Sequence, residues 1–317
     1  MIGEAWRPAA RFEALRARAQ LLRRIRQFFD EREVLEVETP VISIAGTVDR
    51  HIDSLEVPGA GWLQTSPEFP MKRLLAAGSG PIWQLARVFR AGERGRLHNP
   101  EFTMLEWYRP GWDHHRLMDE LIELLSACGG PDGAQRLDYA GAFAAADLPD
   151  PHRASVTELA AAAAAALPSV PDSLGREADD RGAWLDLLFD GVVVPALGES
   201  PVLIHDFPAE QAALARVRPG EPPLAERFEL IWQGLELANG FHELTDAAEQ
   251  RRRFDTDRAW RLAQGRETPP VDGQMLAALE HGLPDCAGVA VGIDRLLMCL
   301  TGAQHIDEVL AFPVDRA

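Results

Sequence analysis

Two β-rich runs separated by a polar loop form the clearest hydrophobic and polar pattern in the chain. The alternation at 82–90 and 101–108, with a glycine-containing loop between, predicts a β-hairpin. The second run carries three alternate side chains that share one face: Phe102, Glu106 and Tyr108. Arg90 ends the first run. This face therefore offers a cation, an aromatic ring, a carboxylate and a phenol, which suits a phosphorylated nucleoside beside a small cationic ligand.

Helical periodicity is strongest near the start of the chain, where apolar residues recur at helical spacing between arginines and predict a helix over 11–32. Further helices are predicted at 67–77, 114–127, 180–193, 247–264, 271–282 and 294–301. Further strands are predicted at 34–43, 62–66, 201–207, 225–237 and 288–293. The chain has no GxGxxG, no Walker A motif and no repeated βα unit. We therefore predict an α+β fold, an antiparallel sheet flanked by helices.

Residues 129–185 change in character, because they are rich in alanine and aspartate and poor in β-branched residues. Ser155 and Glu158 stand before an alanine run in the spacing of a capping box. We predict a small helical insertion here, within a single catalytic domain spanning 1–317.

Composition narrows the class of protein. The chain has 317 residues, enough for a large core, and no run of 18 apolar residues that would cross a membrane. Its start lacks the apolar segment of a secretory leader, so we expect a soluble, cytoplasmic protein. The net charge of −17 disfavours a nucleic acid as the main partner, although local basic patches remain possible.

Cysteine and histidine spacing gives no metal motif. Cys128, Cys286 and Cys299 lie far apart, which predicts reduced core residues rather than disulfides or a zinc site. The close pair His114 and His115 is expected on a solvated helix start.

Glu229, Glu236 and Glu243 are spaced by seven in the segment FELIWQGLELANGFHELTD. Odd spacing puts neighbouring members on opposite faces of one unbroken strand, so we expect a bulge or turn at Asn239-Gly240 to bring Glu243 round. Carboxylates of this kind suit Mg²⁺, which prefers oxygen ligands. The alternative is a solvated acidic strand face.

The segment GVAVGIDRLLM places Arg295 in the first turn of a helix that follows a glycine-containing strand. A cation is unfavourable there unless an anion is bound, and glycines allow close approach of a ligand. A packed strand with a surface arginine is the alternative. For the hairpin, the alternative is a surface feature with a salt bridge.

Taken together, these motifs resemble the class II aminoacyl-tRNA synthetases, and their lysine branch in particular. The first helix with VLEVETP is similar to motif 1, FRAGERGRLHNPEFTMLEWY to motif 2 and GVAVGIDRLLM to motif 3. TSPEFPMKRLL and ELANGFHELTD are similar to further signatures of the lysyl enzymes. The resemblance implies ATP and Mg²⁺ as ligands and a homodimer formed through the motif 1 region.

The resemblance also implies roles for single residues. Those implied to bind ATP are Arg90, Ala91, Gly92, His98, Asn99, Phe102, Glu236, Leu237, Gly292 and Arg295. Among them Arg90 is implied at the α-phosphate, His98 and Arg295 near the β- and γ-phosphates, and Phe102 on adenine. Arg90 and Arg295 are the implied catalytic residues, and Glu229 and Glu236 the implied Mg²⁺ ligands. The residues implied to bind the amino acid are Ser66, Pro67, Glu68, Glu106, Tyr108, Asn239, Phe241, Glu243 and Ala290.

Three departures from the lysyl enzymes refine the resemblance. Motif 1 begins near the start of the sequence, so we expect no anticodon-binding domain. Ala290 stands where those enzymes usually have glycine, and its methyl group would crowd the amino-acid pocket. Gly92 stands where relatives often have a glutamate near adenine, which leaves Glu93 as a neighbouring substitute.

The shortened chain with Ala290 resembles the elongation factor P–(R)-β-lysine ligase family. This resemblance implies activation of β-lysine with ATP and its transfer to a lysine side chain of elongation factor P, with tRNA disfavoured as a partner. Three other functions stay open: acylation of tRNA or another acceptor, an amide-forming asparagine synthetase paralogue, and a binding protein without activity. The polar pocket residues argue against the second, and the intact arginines against the third.

Overall fold

The computed structural model describes residues 6–171, 174 and 180–317. The α-helices of these residues are α1 (Phe12–Asp30), α2 (Glu68–Ala76), α3 (His114–Ala127), α4 (Tyr139–Ala145), α5 (Val156–Ala166), α6 (Arg181–Leu188), α7 (Val194–Ala196), α8 (Ala247–Ala263), α9 (Gly273–Gly282) and α10 (Ile293–Thr301). The strands are β1 (Leu35–Glu36), β2 (Ile42–Ser43), β3 (Glu56–Val57), β4 (Gly61–Leu63), β5 (Ile82–Phe89), β6 (Glu101–Pro110), β7 (Gln135–Asp138), β8 (Val202–Pro208), β9 (Val217–Arg218), β10 (Leu224–Trp232), β11 (Leu235–His242) and β12 (Cys286–Gly292).

The chain divides into two compact units. Unit 1 contains Met1–Gly130 and Glu243–Ala317, and unit 2 contains Pro131–His242. The prediction of a single catalytic domain with an insertion at 129–185 stays a prediction. The α+β class is confirmed, since helices accompany largely antiparallel strands in both units.

Unit 1 is built on the strand order β1-β5-β6-β12, in which only the β1–β5 pair is parallel. Helix α1 buries Leu21, Ile25, Phe28 and Phe29, as its periodicity predicted. The Phe29 ring stacks on Trp83 of β5 with 4.9 Å between ring centroids. The motif 1 helix is therefore anchored on the same sheet that carries the motif 2 hairpin.

The predicted hairpin of β5 and β6 is confirmed, with Ile82 opposite Tyr108 and Phe89 opposite Glu101. The strand predicted at 34–43 is wrong as a single element. It forms two short pieces, β1 beside β5 and β2 beside β4, with Pro40 between them. Proline has no N–H to donate to a ladder, so the strand breaks there.

Unit 2 has the strand order β11-β10-β8-β7, with a parallel β7–β8 pair and β9 alongside β10. Its core packs Tyr139, Phe143, Phe189 and Phe207 together. The Ser155–Glu158 capping box is confirmed. Strand β7 was not predicted, because its four residues are largely polar and exposed. The parts of the predicted insertion at 172–173 and 175–179 lie outside the described residues.

The strand predicted at 225–237 is also wrong as one element. Gln233 and Gly234 both have positive φ, and they form the two-residue turn of the β10–β11 hairpin. The predicted turn at Asn239-Gly240 does not occur, since both residues lie within β11. Gly240 serves close packing instead, because a Cβ there would lie 2.3 Å from the Phe228 ring.

Of the predictions for the cysteines and for the histidine pair, the first is confirmed and the second is half wrong. All three cysteines are buried and reduced, as predicted. His114 is buried, so its predicted exposure is wrong, whereas His115 is exposed. Helix α3 turns His114 inward with Leu117 and Leu121. Among the described residues, every helix is too short or too polar to cross a bilayer.

Candidate active site

One face of the β5-β6-β12 sheet carries most of the unit 1 residues that the sequence analysis singled out. Alternate residues of β6 on this face each have a neighbour on β12: Met104 with Gly292, Glu106 with Ala290, and Tyr108 with Gly288. Phe102 lies at one end of the row, opposite Val88 of β5. The register therefore orders the face from an aromatic and cationic end to an acidic end.

Arg90 and Phe102 form the first end of the row. The Arg90 guanidinium carbon lies 5.2 Å from the centroid of the Phe102 ring. One guanidinium nitrogen lies 3.6 Å from the Glu93 carboxylate, and Nε donates to the Thr65 carbonyl at 3.5 Å. Glu93, the substitute considered for the contact missing at Gly92, thus lies beside Arg90. The half-buried Phe102 packs against the buried cluster of Ala86, Val88 and Met104, as Ala290 also does.

Arg295 and His98 meet, as expected of two residues assigned to one triphosphate. The Arg295 guanidinium lies 2.6 Å from Nε2 of His98. Arg295 is in the first turn of α10, which begins after Gly292. Asp294 fixes this helix start, because its Oδ2 accepts from the Thr103 backbone N–H at 2.7 Å and its Oδ1 pairs with Arg18. A helix N-terminus and the Arg295 guanidinium together favour an anion here.

Asn99, which the resemblance implies near ATP, is held by two hydrogen bonds within the protein, and its role stays a prediction. Its Nδ2 donates to the Glu101 carbonyl at 2.6 Å, and its Oδ1 accepts from the Val314 backbone N–H at 3.0 Å. The side chain therefore holds the hairpin loop to the C-terminal segment. In the same loop the Ala91 N–H donates to the Asp53 carbonyl at 2.8 Å, and Gly92 adopts a φ of 76° that favours glycine.

Glu106 is the centre of the acidic end and is almost fully buried. Ser66 Oγ donates to one of its oxygens at 2.5 Å, and the Tyr108 hydroxyl donates to the other at 3.0 Å. Burial and the nearby charge of Glu68 raise the pKa of Glu106 to about 8. Burial and the Glu106 carboxylate raise the pKa of Tyr108 well above its usual value, so its phenol stays a donor.

Glu68 and Glu243 are joined by a residue that the sequence analysis missed. Lys72 Nζ lies 2.7 Å from Glu68 and 2.6 Å from Glu243. Glu68 begins α2 directly after its N-cap Pro67, and Glu243 follows β11, its N–H donating to the Cys286 carbonyl of β12. A signal was present in the sequence, since Lys72 is the only lysine among the 32 lysines and arginines.

Burial and ion pairing act in opposite directions on the pKa values of Glu243 and Lys72. Burial raises the pKa of Glu243 to about 7, although the Lys72 ammonium works in the opposite direction. Burial also opposes the charged form of Lys72, but Glu243 and Glu68 together outweigh it and raise the pKa of the ammonium above its usual value. Two carboxylates therefore contact one ammonium, and Glu106 adds a third carboxylate near both of them, an arrangement that favours further positive charge.

Gly288 is a second missed residue. A Cβ at this position would lie 2.3 Å from the Tyr108 ring and 2.5 Å from the Glu243 carboxylate. The glycine spacing of GVAVG was the available signal, although it did not identify the neighbours.

The remaining sequence-predicted residues lie on the β10–β11 hairpin of unit 2. Glu229 pairs with Asn239 and Arg227 pairs with Phe241, but Ile231 pairs with Glu236, so Leu237 is an extra residue that forms a β-bulge. Because paired residues share a face, the bulge puts Glu229, Glu236 and Asn239 on one side of the hairpin. The bulge at Leu237 thus brings Glu229 and Glu236 to the same face, although their odd spacing would put them on opposite faces of one unbroken strand.

These carboxylates fit a divalent cation. Glu229 is buried beside Arg227, and burial raises its pKa to about 8, with Glu236 among the negative charges that add to the shift. A cation bound to Glu229 and Glu236 would relieve this repulsion. Arg227 Nε also donates to Asn239 Oδ1 at 3.3 Å, so Asn239 is held within unit 2.

Comparison with known proteins identifies the family. Residues 5–316 match the model of the tRNA synthetases class II (D, K and N). An elongation factor P–(R)-β-lysine ligase of Vibrio cholerae is 49% identical and aligns over the full length of both chains. Ligases of the same name from Edwardsiella ictaluri, at 49% identity over 99% of this chain and 98% of the relative, and Klebsiella pneumoniae, at 48% over 98% of each, also match.

The chain belongs to the class II tRNA synthetases, in the elongation factor P–(R)-β-lysine ligase family. The family that the motifs suggested is therefore confirmed. The roles of the individual site residues stay predictions, although their positions in the structure are now described. Ala290, the departure from the lysyl enzymes, lies across from Glu106 in the β6–β12 register.

The raised pKa values of the acidic end predict a pH dependence. An ammonium group binds the ionised carboxylates, and Glu243 and Glu106, with pKa values of about 7 and about 8, ionise only as the pH rises. We expect kcat/KM for the amino acid to increase from about pH 6 to about pH 8, since this constant reports ionisations of the free enzyme. Pyrophosphate exchange measured across this range checks it. A Glu106→Gln variant whose profile keeps the wild-type shape would contradict the assignment of the upper ionisation.

Proposed function

We propose that this protein activates (R)-β-lysine with ATP and attaches it to a lysine side chain of elongation factor P. The observation that carries the proposal is full-length identity of 49% to a ligase of that name. The buried acidic end of the site supports it independently. Glu68, Glu106 and Glu243 against the single Lys72 suit a substrate with two ammonium groups.

In the first step, the carboxylate of β-lysine attacks the α-phosphorus of ATP. A carboxylate oxygen–phosphorus bond forms, the bond to the leaving pyrophosphate breaks, and an acyl-adenylate results. The carboxylate is already ionised, so no general base is required. Arg90 neutralises charge at the α-phosphate, and Arg295 with His98 binds the leaving phosphates, so catalysis consists mainly of positioning and charge stabilisation.

Glu229 and Glu236 are the residues that would hold Mg²⁺, which when bound supplies positive charge to the phosphate oxygens of ATP. Among the remaining unit 2 residues, Leu237 stays assigned to ATP, and Asn239 and Phe241 stay assigned to the amino acid, by their family positions. Asn239 is held for this task by Arg227.

In the second step, the neutral amine of the acceptor lysine attacks the adenylate carbonyl. An amide bond forms, AMP leaves, and the amine gives up a proton. We assign this reaction to the cytoplasm, where elongation factors work.

Mass spectrometry of the acceptor tests the proposal. Elongation factor P is incubated with enzyme, ATP, Mg²⁺ and either β-lysine or L-lysine, with a parallel reaction on tRNA. We expect elongation factor P to gain the mass of one β-lysyl group, and tRNA to stay unacylated. Unmodified elongation factor P with both isomers would overturn the ligase function, and acylated tRNA would favour the synthetase alternative.

We also infer a homodimer through the motif 1 region. Leu35, Ile42 and Ile44 are 55%, 43% and 68% exposed, an unusual density of large apolar side chains on a surface. A second copy of the chain would cover them. Light scattering after size exclusion should give the dimer mass for the wild type and a lower mass for Ile44→Glu. A monomeric wild type would refute the inference.

Ala290→Gly is expected to relax the choice between lysine isomers. Ala290 lies opposite Glu106 and packs against the cluster of Ala86, Val88 and Met104, so removing its methyl group opens space in the pocket. We expect kcat/KM for L-lysine relative to β-lysine to rise roughly tenfold, as for one methyl group in a tight pocket. Pyrophosphate exchange with each isomer measures the ratio. Ala287→Gly, on the opposite face of β12, is the matched control, and equal ratios in both variants would reject the role of Ala290.

A further inference from the structure

Lys72 occupies an unusual position for a lysine. Its side chain is 1% exposed and lies on the inner side of α2, with Nζ between Glu68 and Glu243. Glu243 is also 1% exposed. Lysines are almost never buried to this extent unless they are paired, and here both partners are residues assigned to the amino-acid substrate.

The amino-acid composition adds weight to the buried position of Lys72, because this residue is the only lysine in the sequence. Every other basic side chain among the 32 lysines and arginines of the chain is an arginine. Arginine carries a planar, forked charge that needs more room, whereas the lysine ammonium is a compact point charge. At this position a single nitrogen contacts one oxygen of each of the two carboxylates, and the compact lysine ammonium suits that geometry. The single lysine of the chain thus lies at a place where a compact charge contacts two carboxylates at once.

The charges around Glu243 define what this lysine does. Glu243 faces Lys72 and Glu68 from α2, and Glu106 and Tyr108 from β6. With all carboxylates ionised, the cluster carries two more negative than positive charges. Without Lys72, the same cluster would carry three uncompensated carboxylates, which cannot all stay ionised when buried.

We propose that Lys72 is a permanent positioning residue of the amino-acid pocket, which holds the Glu68 and Glu243 carboxylates at a fixed spacing for the two ammonium groups of a diamino acid. The inference rests on the proposed function and deepens it, because it names a substrate with two cationic groups. Lys72 itself stays buried when the substrate binds. It acts through the two carboxylates and does not touch the reacting atoms.

The single lysine permits a direct observation. Protein labelled with ¹³C and ¹⁵N in lysine alone gives one side-chain signal, which reports on Lys72 without any mutation. We expect that signal to be that of a charged, slowly exchanging ammonium, to shift on addition of unlabelled β-lysine, and to stay slowly exchanging in the complex. A signal that ignores β-lysine, or that becomes solvent-exchanging when it binds, would overturn the proposal.

Substitutions supply the functional readout. Lys72→Met is expected to raise the KM for β-lysine by at least roughly tenfold, the effect of leaving buried carboxylates without their partner, with little change in the KM for ATP. Its kcat/KM profile should move to higher pH, because Lys72 no longer lowers the pKa of Glu243. Lys72→Arg should not restore the KM. The control is Arg73→Met, a loss of one cation from the exposed neighbouring position.

The outcomes separate this inference from the proposed function. If the wild type exchanges pyrophosphate with β-lysine and Lys72→Met keeps its KM and pH profile, only the role of Lys72 fails. If Lys72→Arg is fully active, the requirement for a compact charge fails. If the wild type neither binds β-lysine nor exchanges pyrophosphate, the proposed function fails, and the inference with it. If Lys72→Met does not fold, the response of the single lysine signal of the wild type to β-lysine still tests the role of Lys72.

Discussion

Arg90→Ala should slow β-lysine-dependent exchange of pyrophosphate into ATP by roughly 10²- to 10³-fold, the range found when one preorganised donor to a developing charge is removed. Arg90 is held in place by contacts within the protein. Its guanidinium lies over the Phe102 ring and beside Glu93, and its Nε donates to the Thr65 carbonyl. A half-buried cation fixed in this way costs little reorganisation when charge develops at the α-phosphate.

Arg87→Ala is the matched control for this loss. Arg87 lies within β5, three residues before Arg90, but its side chain is 54% exposed and pairs with Glu101 on the other face of the hairpin. We expect Arg87→Ala to keep near wild-type exchange. An Arg90→Ala enzyme that exchanges pyrophosphate at the wild-type rate would show that the α-phosphate is bound elsewhere.

Gly288→Ala is expected to damage the acidic end of the site through packing alone. The new Cβ would lie 2.3 Å from the Tyr108 ring and 2.5 Å from Glu243, closer than any side chain tolerates, so one of them must move. Overpacking of this kind costs about 1–3 kcal/mol of unfolding free energy. Displacing Tyr108 also removes a donor to Glu106, so we expect the KM for β-lysine to rise roughly tenfold or more.

Denaturant unfolding and pyrophosphate exchange together measure both effects. Gly273→Ala is the control, since a Cβ at that position at the start of α9 meets no heavy atom within 4 Å. We expect Gly273→Ala to be as stable and active as the wild type. Wild-type affinity for β-lysine in Gly288→Ala would mean that Tyr108 and Glu243 do not form the pocket.

Local sequence patterns were sufficient to predict those elements whose structure depends only on residues close together in the chain. The helix at α1, the cap at Ser155 and the β5–β6 hairpin could be predicted because periodicity, capping and turn chemistry act over a few residues. The same applies to Arg295 in the first turn of α10. These residues lie where the sequence placed them.

Prediction failed where distant segments decide the arrangement. The β10–β11 turn at Gln233 and Gly234 was hidden in an apolar run that reads as one strand. The bulge at Leu237, which brings Glu229 and Glu236 to one face, depends on pairing with the facing strand. The hydrogen bond from the Val314 N–H to Asn99, which joins the hairpin loop to a segment far away in sequence, has no local signal either. The assignment of Asn99 to ATP stays a prediction.

By itself, the sequence determined the family, the order of the motifs and the residue types of the site, since these follow from linear spacing. Only the tertiary structure decided which residues meet. The β6–β12 register sets Ala290 against Glu106 and Gly288 against Tyr108. Lys72 joins Glu68, one turn away on its own helix, to Glu243, far away in the chain. A buried ammonium is stable only beside buried carboxylates, and folding of distant segments brings them together.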